Sequence, residues 1–412
     1  MRSKKLMILG AGECQVPLMQ LSQRMGFEVV AVSIGGDYPG FSVADKAYEI
    51  DVRDKEAILA AAGREGICGI VTDQTDISVP SVAYVAERLG LPGIGYDCAC
   101  RFTNKYLMRQ SCREFGVPVP GFCSARSLEE ARAKAKGLSF PIIIKPVDSQ
   151  GSRGVVEVRD LAGLDAVFDE VRSFSAEGTV ILEEFFEGTE IVVQGFISGG
   201  RMTNLVMGDR VYFDIPGVFI PKQTLFPSLL PEDLKRKVLE INTLLVTNMK
   251  PRFGITHSEY LVNTGTGEVR LVETAIRGGG VFISSDLIPL ACGIDVNEMV
   301  VRLATGDDGV ALDPAKMVNR ASGYVCFTLP EGTVRKVEGA ERLKTLKGVH
   351  RAHLDDLFVG KKTGRLSDKT MRMGPILITG ADRGELDTTI REIRETLQVE
   401  VETRSGIYPI VW

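Results

Sequence analysis

The first hundred residues alternate short apolar runs with amphipathic stretches, and this alternation constrains the fold more than any other feature. The runs Leu6–Leu9, Glu28–Ser33 and Gly69–Thr72 predict strands, and the stretches 16–25 and 55–62 between them predict helices. Strands that alternate with helices form parallel sheets whose faces the helices cover. The sequence therefore predicts an open α/β domain at the N-terminus.

From about residue 104 onward, period-2 segments and helices mix without strict alternation. Such mixing is typical of α+β structure with antiparallel pairing. A third region begins near residue 313 and combines short strands with an amphipathic helix close to the C-terminus. We therefore predict three domains that span residues 1–98, 99–312 and 313–412.

Composition and charge exclude several classes of protein. The 412 residues are 44% hydrophobic and 25% charged, as expected for a globular chain of several domains. The net charge of −5 and the lack of a basic block disfavour a nucleic-acid-binding face. No apolar run is long enough for a membrane helix, and the eight cysteines include no Cys-x-x-Cys pair. We expect a cytoplasmic protein with reduced thiols.

A glycine turn, Gly10–Gly12, follows the first predicted strand. A dinucleotide fingerprint would place a third glycine at position 15, where Gln15 stands. It would also place an acid directly after the second strand, where residues 33–36 intervene. We interpret the turn as structural or as a substrate-anion contact rather than as an NAD site. A Walker A motif is absent, so any use of ATP requires a different scaffold.

Two segments have features suited to binding the phosphates and the adenine of a nucleotide. Lys145 ends an apolar strand and precedes a small-residue loop, 148–154, whose backbone N–H groups can approach phosphate oxygens; the alternative is a flexible surface hairpin. The acidic run 183–190 follows the apolar strand 180–182 and contains two phenylalanines. Such a strand edge can offer backbone groups to adenine, although an acidic run more often lies on a solvated face.

Glu259 and Glu273 lie on two strand-like runs that flank the turn 263–267, which predicts a hairpin. Across it, both carboxylates are expected to reach one site, and paired carboxylates suit Mg²⁺ that bridges nucleotide phosphates. Arg277 and three glycines follow directly. His257 either lines this site or is a core histidine. The histidines and aspartates of the charged stretch 350–356 are interpreted as surface residues rather than as a metal site.

In this order, Lys105, Lys145, the loop 151–154, the run 183–190 and the stretch 259–277 resemble the ATP-grasp superfamily. The resemblance covers the whole chain. It implies a Rossmann-like pre-ATP-grasp domain, a two-part ATP-grasp domain and a small C-terminal α+β cap, which match the three regions above.

The resemblance also implies a role for each matching residue. The nucleotide phosphates are expected at two lysines and a closing loop: Lys105, Lys145, Gly151, Ser152 and Gly154. The adenine and ribose are expected at the hinge strand and the acid that follows it: Glu183, Glu184, Phe185, Phe186 and Glu190. Magnesium is assigned to Glu259 and Glu273, and the acyl phosphate to Arg277, which together with Lys145 is the expected catalytic residue.

One position departs from the pattern. Many members of the superfamily have a metal-binding asparagine two residues after the second glutamate, where this chain has Ala275. The cofactors implied are ATP and two Mg²⁺ ions, with Mn²⁺ as an alternative ion, and the second ion would have fewer protein ligands.

The stretches 254–259 and 277–280 resemble the amino-acid ligase branch most. This implies an ADP-forming ligase that activates a carboxylate as its acyl phosphate and joins it to an amine, with residues 282–286 and 209–226 shaping the pocket. A purine-biosynthesis or carboxylase enzyme that uses bicarbonate or a ribonucleotide is the alternative. A nicotinamide-dependent oxidoreductase and a non-catalytic nucleotide-binding protein are more remote. The expected partners are small molecules, without nucleic acid or membrane, and a homodimer is the default assembly.

Overall fold

The computed structural model describes residues 4–215, 219–366 and 369–412. Its N-terminal domain contains the strands β1 (Lys5–Leu9), β2 (Glu28–Ser33), β3 (Lys46–Glu49) and β4 (Gly69–Thr72). They form a parallel sheet in the order β3-β2-β1-β4, as the alternating pattern predicted. The helices are α1 (Val16–Arg24), α2 (Pro39–Val43), α3 (Lys55–Glu65) and α4 (Val79–Arg88).

The middle of the chain first forms a small antiparallel sheet, in the order β5-β8-β6-β7, which we call the first lobe. Its core contains Ile142, Ile144, Phe168 and Leu182, because alternate residues of the strands face the helices. The strands are β5 (Phe122–Ala125), β6 (Ile142–Pro146), β7 (Val156–Val158) and β8 (Val180–Glu184). The helices α7 (Leu128–Ala135) and α8 (Leu161–Ser173) pack against this sheet, whereas α5 (Tyr96–Thr103) and α6 (Lys105–Glu114), which precede it in the chain, contribute to the core of the second lobe.

The second lobe begins with long antiparallel strands. These are β9 (Thr189–Ser198), β10 (Arg201–Tyr212), β11 (Pro221–Phe226), β12 (Phe253–Asn263) and β13 (Glu268–Ala275). The helix α9 (Glu232–Met249) packs against them, and the π-helical turn Ile283–Leu287 leads into α10 (Ile288–Cys292) and α11 (Val296–Ala304). Residues 216–218, within the predicted pocket segment 209–226, lie outside the described residues.

The C-terminal region shares a sheet with the second lobe. Its strands are β14 (Ala321–Phe327), β15 (Gly332–Glu338), β16 (Val349–Ala352), β17 (Lys362–Thr363), β18 (Met373–Gly380), β19 (Gln398–Thr403) and β20 (Gly406–Pro409). Because β11 pairs with β14, one sheet runs β13-β12-β9-β10-β11-β14-β18-β16 across position 312. A small sheet, β17-β15-β19-β20, lies beside it. The helices are α12 (Ala340–Leu343) and α13 (Arg383–Thr396).

The predicted hairpin is confirmed. The Asn263 side-chain oxygen accepts hydrogen bonds from the N–H groups of Gly265 and Thr266, both at 3.0 Å, and this closes the turn between β12 and β13. A β-bulge between Glu259 and Tyr260 then shifts the register by one residue, so that Glu259 lies directly opposite Glu273. The two glutamates therefore occupy neighbouring strands at one level of the sheet.

None of the helices in the described part of the chain is both long enough and apolar enough to cross a bilayer. The eight cysteines are all free thiols.

Candidate active site

A cavity of about 630 Å³ lies between the two lobes, and Asp76 of the N-terminal domain also lines it. Nearly all residues that the sequence predicted for the site line it. They are Lys105, Lys145, Gly151, Ser152, Glu183, Glu184, Phe185, Phe186, Glu190, Glu259, Glu273 and Arg277. Gly154 is the exception and lies behind the wall, where an added Cβ would stand 2.8 Å from the Phe174 ring.

Lys145 belongs to a buried three-charge cluster. Its Nζ lies 2.6 Å from Glu183 Oε2, and the other oxygen of Glu183 lies 2.6 Å from Nε of Arg109. Burial lowers the pKa of Lys145. Burial alone would raise the pKa of Glu183, but the two cations hold it at about 2. Glu183 therefore carries a charge that fixes the direction of Lys145.

Lys105 is the first residue of α6, whose N-terminus is capped by the Asn104 side chain. The Lys105 ammonium donates to the carbonyl of Ser149 at 2.6 Å and lies 3.9 Å from Glu273 Oε2. Lys105 thus connects the loop 148–154 of the first lobe, which we call the glycine loop, to Glu273 of the second lobe, a predicted metal ligand.

The glycine loop has a left-handed backbone at Gly151, at Ser152 (φ 62°) and at Gly154. A left-handed backbone is uncommon for any residue other than glycine, so the loop holds a less favourable conformation at Ser152. The preceding Gln150 side chain accepts a hydrogen bond from the backbone N–H of Asp76 at 2.8 Å. The loop is therefore tied to the N-terminal domain.

The hinge strand β8 is paired on both sides, by β5 and by β6. The backbone N–H of Glu184 donates to Gly121 and that of Phe185 to Pro141, at 2.8 and 3.0 Å. Backbone recognition of adenine would therefore fall on the segment that begins at Phe186. The Glu184 carboxylate is already occupied, because it accepts hydrogen bonds from the backbone N–H groups of Gly121 and Ser139.

Glu190 faces two side chains of β10. Its Oε1 lies 2.7 Å from Nη1 of Arg210, and its Oε2 accepts a hydrogen bond from the Tyr212 hydroxyl. The same Nη1 also contacts Glu259 Oε1. The predicted ribose acid and a predicted metal acid thus share one guanidinium.

Glu259 also accepts from His257 Nε2 at 3.0 Å, while Nδ1 of that ring lies 2.6 Å from the Gln194 amide. Burial lowers the pKa of His257 to about 4, so the imidazole is neutral at pH 7. The pKa of Glu259 lies well below its usual range, because Arg210 and the His257 hydrogen bond outweigh the effect of burial. Glu259 is therefore ionised.

The donor set fits a hard divalent cation that shares its ligands with phosphate. Glu259 and Glu273 present carboxylates from neighbouring strands, which are ligands that Mg²⁺ accepts. Within residues 4–215, 219–366 and 369–412, no group of three or more His, Cys, Asp or Glu side chains could hold a metal. A metal here would take its remaining ligands from a nucleotide and from water. At the position of the missing asparagine, Ala275 is buried.

Arg277 is held by the N-terminal domain. Its Nε and Nη2 donate to the two oxygens of Asp76, and Nη1 donates to the carbonyl of Gly278 at 2.8 Å. Burial opposes the charge of Arg277, but Asp76 nevertheless raises its pKa. An added Cβ at Gly278 would stand 2.1 Å from Asp73, so this position requires glycine.

Three other predicted features contribute no residue to the cavity lining: the glycine turn, the segment 282–286 and the charged stretch. The Gln15 side chain packs against Gly10 and Gly12 and donates to the carbonyl of Asp73 at 2.7 Å. In the charged stretch, His350 lies 3.3 Å from Asp286 and His353 lies 2.6 Å from Glu13. The two histidines therefore contact different carboxylates.

Three charged lining residues lie outside every segment predicted from the sequence, namely Asp76, Arg109 and Lys369, whereas Gln150 belongs to the predicted loop 148–154 and Arg210 and Tyr212 to the predicted pocket segment 209–226. Arg109 had a usable signal, because it stands four residues after Lys105 on an amphipathic helix and so on the same face. Asp76 and Lys369 have no local pattern that separates them from surface residues.

Two family models match the chain. One described as an ATP-grasp domain matches residues 138–285, which include Lys145, the glycine loop, the hinge, both glutamates and Arg277. Another, described as L-amino acid ligase C-terminal domain 2, matches residues 325–402.

The chain is similar to the formate-dependent phosphoribosylglycinamide formyltransferase of Rhodococcus jostii, with 32% identity over 48% of this chain and 51% of that one. The match thus spans about half the length of that relative. The protein of the same name from Burkholderia thailandensis is 26% identical over 92% of both chains. The structure of an L-amino acid ligase from Bacillus licheniformis aligns with a TM-score of 0.82 at 21% identity, over 98% of this chain and 100% of that one. At this identity the likeness shows the fold.

Proposed function

Because this chain belongs to the ATP-grasp superfamily, we propose that it is an ADP-forming ligase that activates a carboxylate with ATP and joins it to an amine. One observation carries the proposal: both lysines, both glutamates and Arg277 line a single cavity together with the hinge and the glycine loop. Surface glutamates and lysines would have no reason to converge in this way.

Different residues along the cavity bind different parts of the nucleotide in this proposal. The hinge segment after β8 lies where adenine would bind, and Glu190 lies on the path toward the ribose. Lys105 and Lys145 place positive charge beside the phosphates, and the backbone N–H groups of the loop 150–154 can reach the β- and γ-phosphate oxygens.

The substrate carboxylate attacks the γ-phosphorus of ATP, which forms an acyl phosphate and releases ADP. The amine then attacks the acyl carbon, and phosphate leaves. Such a transfer depends mainly on positioning and charge neutralisation. Arg277 is oriented by Asp76 to meet the phosphoryl group, and the loop tied down by Gln150 keeps water out.

Glu259 and Glu273 would hold magnesium, which neutralises phosphate oxygens and aligns the reacting groups when it is bound. We propose two Mg²⁺ ions, with Mn²⁺ as a substitute. The buried Ala275 supplies no ligand, so one of the ions would depend more heavily on phosphate and water.

For the substrates we propose amino acids or peptide-like molecules. The match of residues 325–402 to an L-amino acid ligase domain supports this branch. The formyltransferase relatives support a second candidate, in which the carboxylate is small and the amine is carried on a ribonucleotide. In both cases the joined groups are a carboxylate and an amine.

Phosphate release from ATP and Mg²⁺ tests these proposals. The substrate panel contains amino acids singly and in pairs, formate with an amine-bearing ribonucleotide, and bicarbonate alone, with the Glu273→Ala protein as background. Release that requires a pair of amino acids supports the first candidate, and release with formate or bicarbonate supports the second. An intact protein that binds ATP but releases no phosphate with any member of the panel would contradict the enzyme proposal.

A cytoplasmic location and a homodimeric assembly complete the proposal. Light scattering of the purified protein measures the mass in solution, and a mass of one chain would overturn the homodimer.

A further inference from the structure

Arg210 lies on the floor of the cavity, where three neighbouring strands meet in the order β12-β9-β10. Its Nη1 lies between the Oε1 atoms of Glu190 and Glu259, and its Nη2 lies 3.4 Å from His257 Nε2. Tyr212, two residues further along β10, donates to the other oxygen of Glu190. One guanidinium therefore fixes two carboxylates that come from different strands.

The physical chemistry of this cluster is demanding. Two carboxylates close together in a buried site repel each other unless a cation lies between them. A guanidinium suits this position because it is planar, always charged and presents its donors in fixed directions. A lysine in the same place would supply the charge but not the geometry.

Stability alone is a weak reason for such a cluster. Replacing a buried ion pair or triad by packed apolar residues is often neutral or stabilising, because it removes the cost of desolvating charges. Arg210 is only 7% exposed, and its buried Nε has no hydrogen-bond partner among the described residues. A group with an unsatisfied donor in a cavity wall fits a role toward a ligand better than a role in packing.

We propose that Arg210 is a positioning residue that couples the ribose end of the nucleotide site to its metal end. It holds Glu190 and Glu259 at a fixed separation, so each carboxylate is correctly placed only while the other is. The inference rests on the proposed function, because it takes Glu190 as the ribose acid and Glu259 as a metal ligand.

Arg210→Met and Arg210→Lys test the coupling, with Arg335→Met as a control for the loss of an exposed arginine that pairs with Glu402. Calorimetry measures the binding of ATP, 2′-deoxy-ATP and 3′-deoxy-ATP without acceptor substrates. Electron paramagnetic resonance measures the binding of Mn²⁺ in the presence of ADP.

In the wild type and the control, we expect at least one deoxynucleotide to bind about tenfold more weakly than ATP, the effect of losing one hydrogen bond to a charged group. In Arg210→Met this preference should fall below about twofold and Mn²⁺ binding should weaken about tenfold. Arg210→Lys should restore Mn²⁺ binding in part but not the ribose preference. Glu190→Gln should weaken the binding of ATP by a smaller factor in the Arg210→Met protein than in the wild type.

A purely structural role gives a different result. Equal weakening of all three nucleotides together with a lower melting temperature would overturn the coupling, and so would an unchanged ribose preference or unchanged Mn²⁺ binding. A wild-type protein without ribose preference would also overturn it, while leaving the ligase proposal intact. Failure of the wild type to bind any nucleotide would instead overturn the proposed function.

Discussion

Asp76 of the N-terminal domain and Arg277 of the second lobe form a two-point ion pair. Nε donates to Oδ1 at 2.9 Å and Nη2 donates to Oδ2 at 2.5 Å, across 201 positions of sequence. Both groups are largely buried, so water screens the pair only weakly. The orientation of Arg277 is therefore set by a different domain from the one that carries it.

Asp76→Asn should reduce turnover about 10- to 100-fold, because a mislocated charge stabilises the transition state poorly. The KM for ATP should change little, since the proposed role of Arg277 is at the acyl phosphate rather than at the bound nucleotide. Steady-state phosphate release measures both constants. Asp54→Asn, which alters only the cap of α3, serves as the control. Full turnover in a folded Asp76→Asn protein would contradict the role of this pair.

Glu273→Ala should lower turnover by more than about 100-fold, because Glu273 is one of the two carboxylates that we propose as metal ligands. The protein should remain folded, as judged by circular dichroism. Glu268→Ala removes a glutamate from the same strand near the hairpin turn and should keep most of the activity. Near-normal turnover in Glu273→Ala would refute the metal assignment.

Gln150→Ala should raise the KM for ATP about three- to tenfold, because it removes the hydrogen bond that ties the glycine loop to Asp76. The loop should also be cleaved faster by trypsin at Arg153. Addition of ATP should slow the cleavage in both proteins. Identical KM values and cleavage rates would show that the bond does not restrain the loop.

Arg109→Met should destabilise the protein by about 1.5–3 kcal/mol, because it removes a charged partner of the buried Glu183 carboxylate and leaves that carboxylate with Lys145 alone. The free energy of unfolding in urea measures the loss. Glu183→Gln in the same chain should add to the loss, because it leaves the buried Lys145 ammonium without a carboxylate. No loss in Arg109→Met would mean that Lys145 alone satisfies Glu183.

The Glu65 carboxylate should make the N-terminal domain sensitive to acid. Hydrogen bonds from Lys46, Lys5 and Tyr48 lower its folded pKa from 4.5 to about 2. A depressed pKa stabilises the folded state fully above pH 4.5, and this stabilisation is lost as the pH falls from 4.5 toward 2. The melting temperature should fall less steeply between pH 6 and pH 2 in Glu65→Gln than in the wild type. Parallel curves for the two proteins would contradict the shift.

Local patterns in the sequence determined much of the fold. The strands β2 and β4 and the start of α3 lie where the apolar runs and the amphipathic stretch predicted them. These elements depend on residues within a few positions of one another, so periodicity is sufficient. The hairpin turn was equally local, and together with the β-bulge between Glu259 and Tyr260 it brings Glu259 opposite Glu273. The superfamily was also recognised from these motifs and their order.

The tertiary structure decided which charges meet. Arg210 contacts Glu259 across 49 positions and Arg277 contacts Asp76 across 201, and no local pattern distinguishes such residues from surface charges. The pairing of β11 with β14, which carries one sheet across position 312, is likewise a contact between distant segments. Burial decides whether a charged side chain is solvated or becomes part of a site. Burial depends on how strands and domains pack, and that packing is a property of the whole chain.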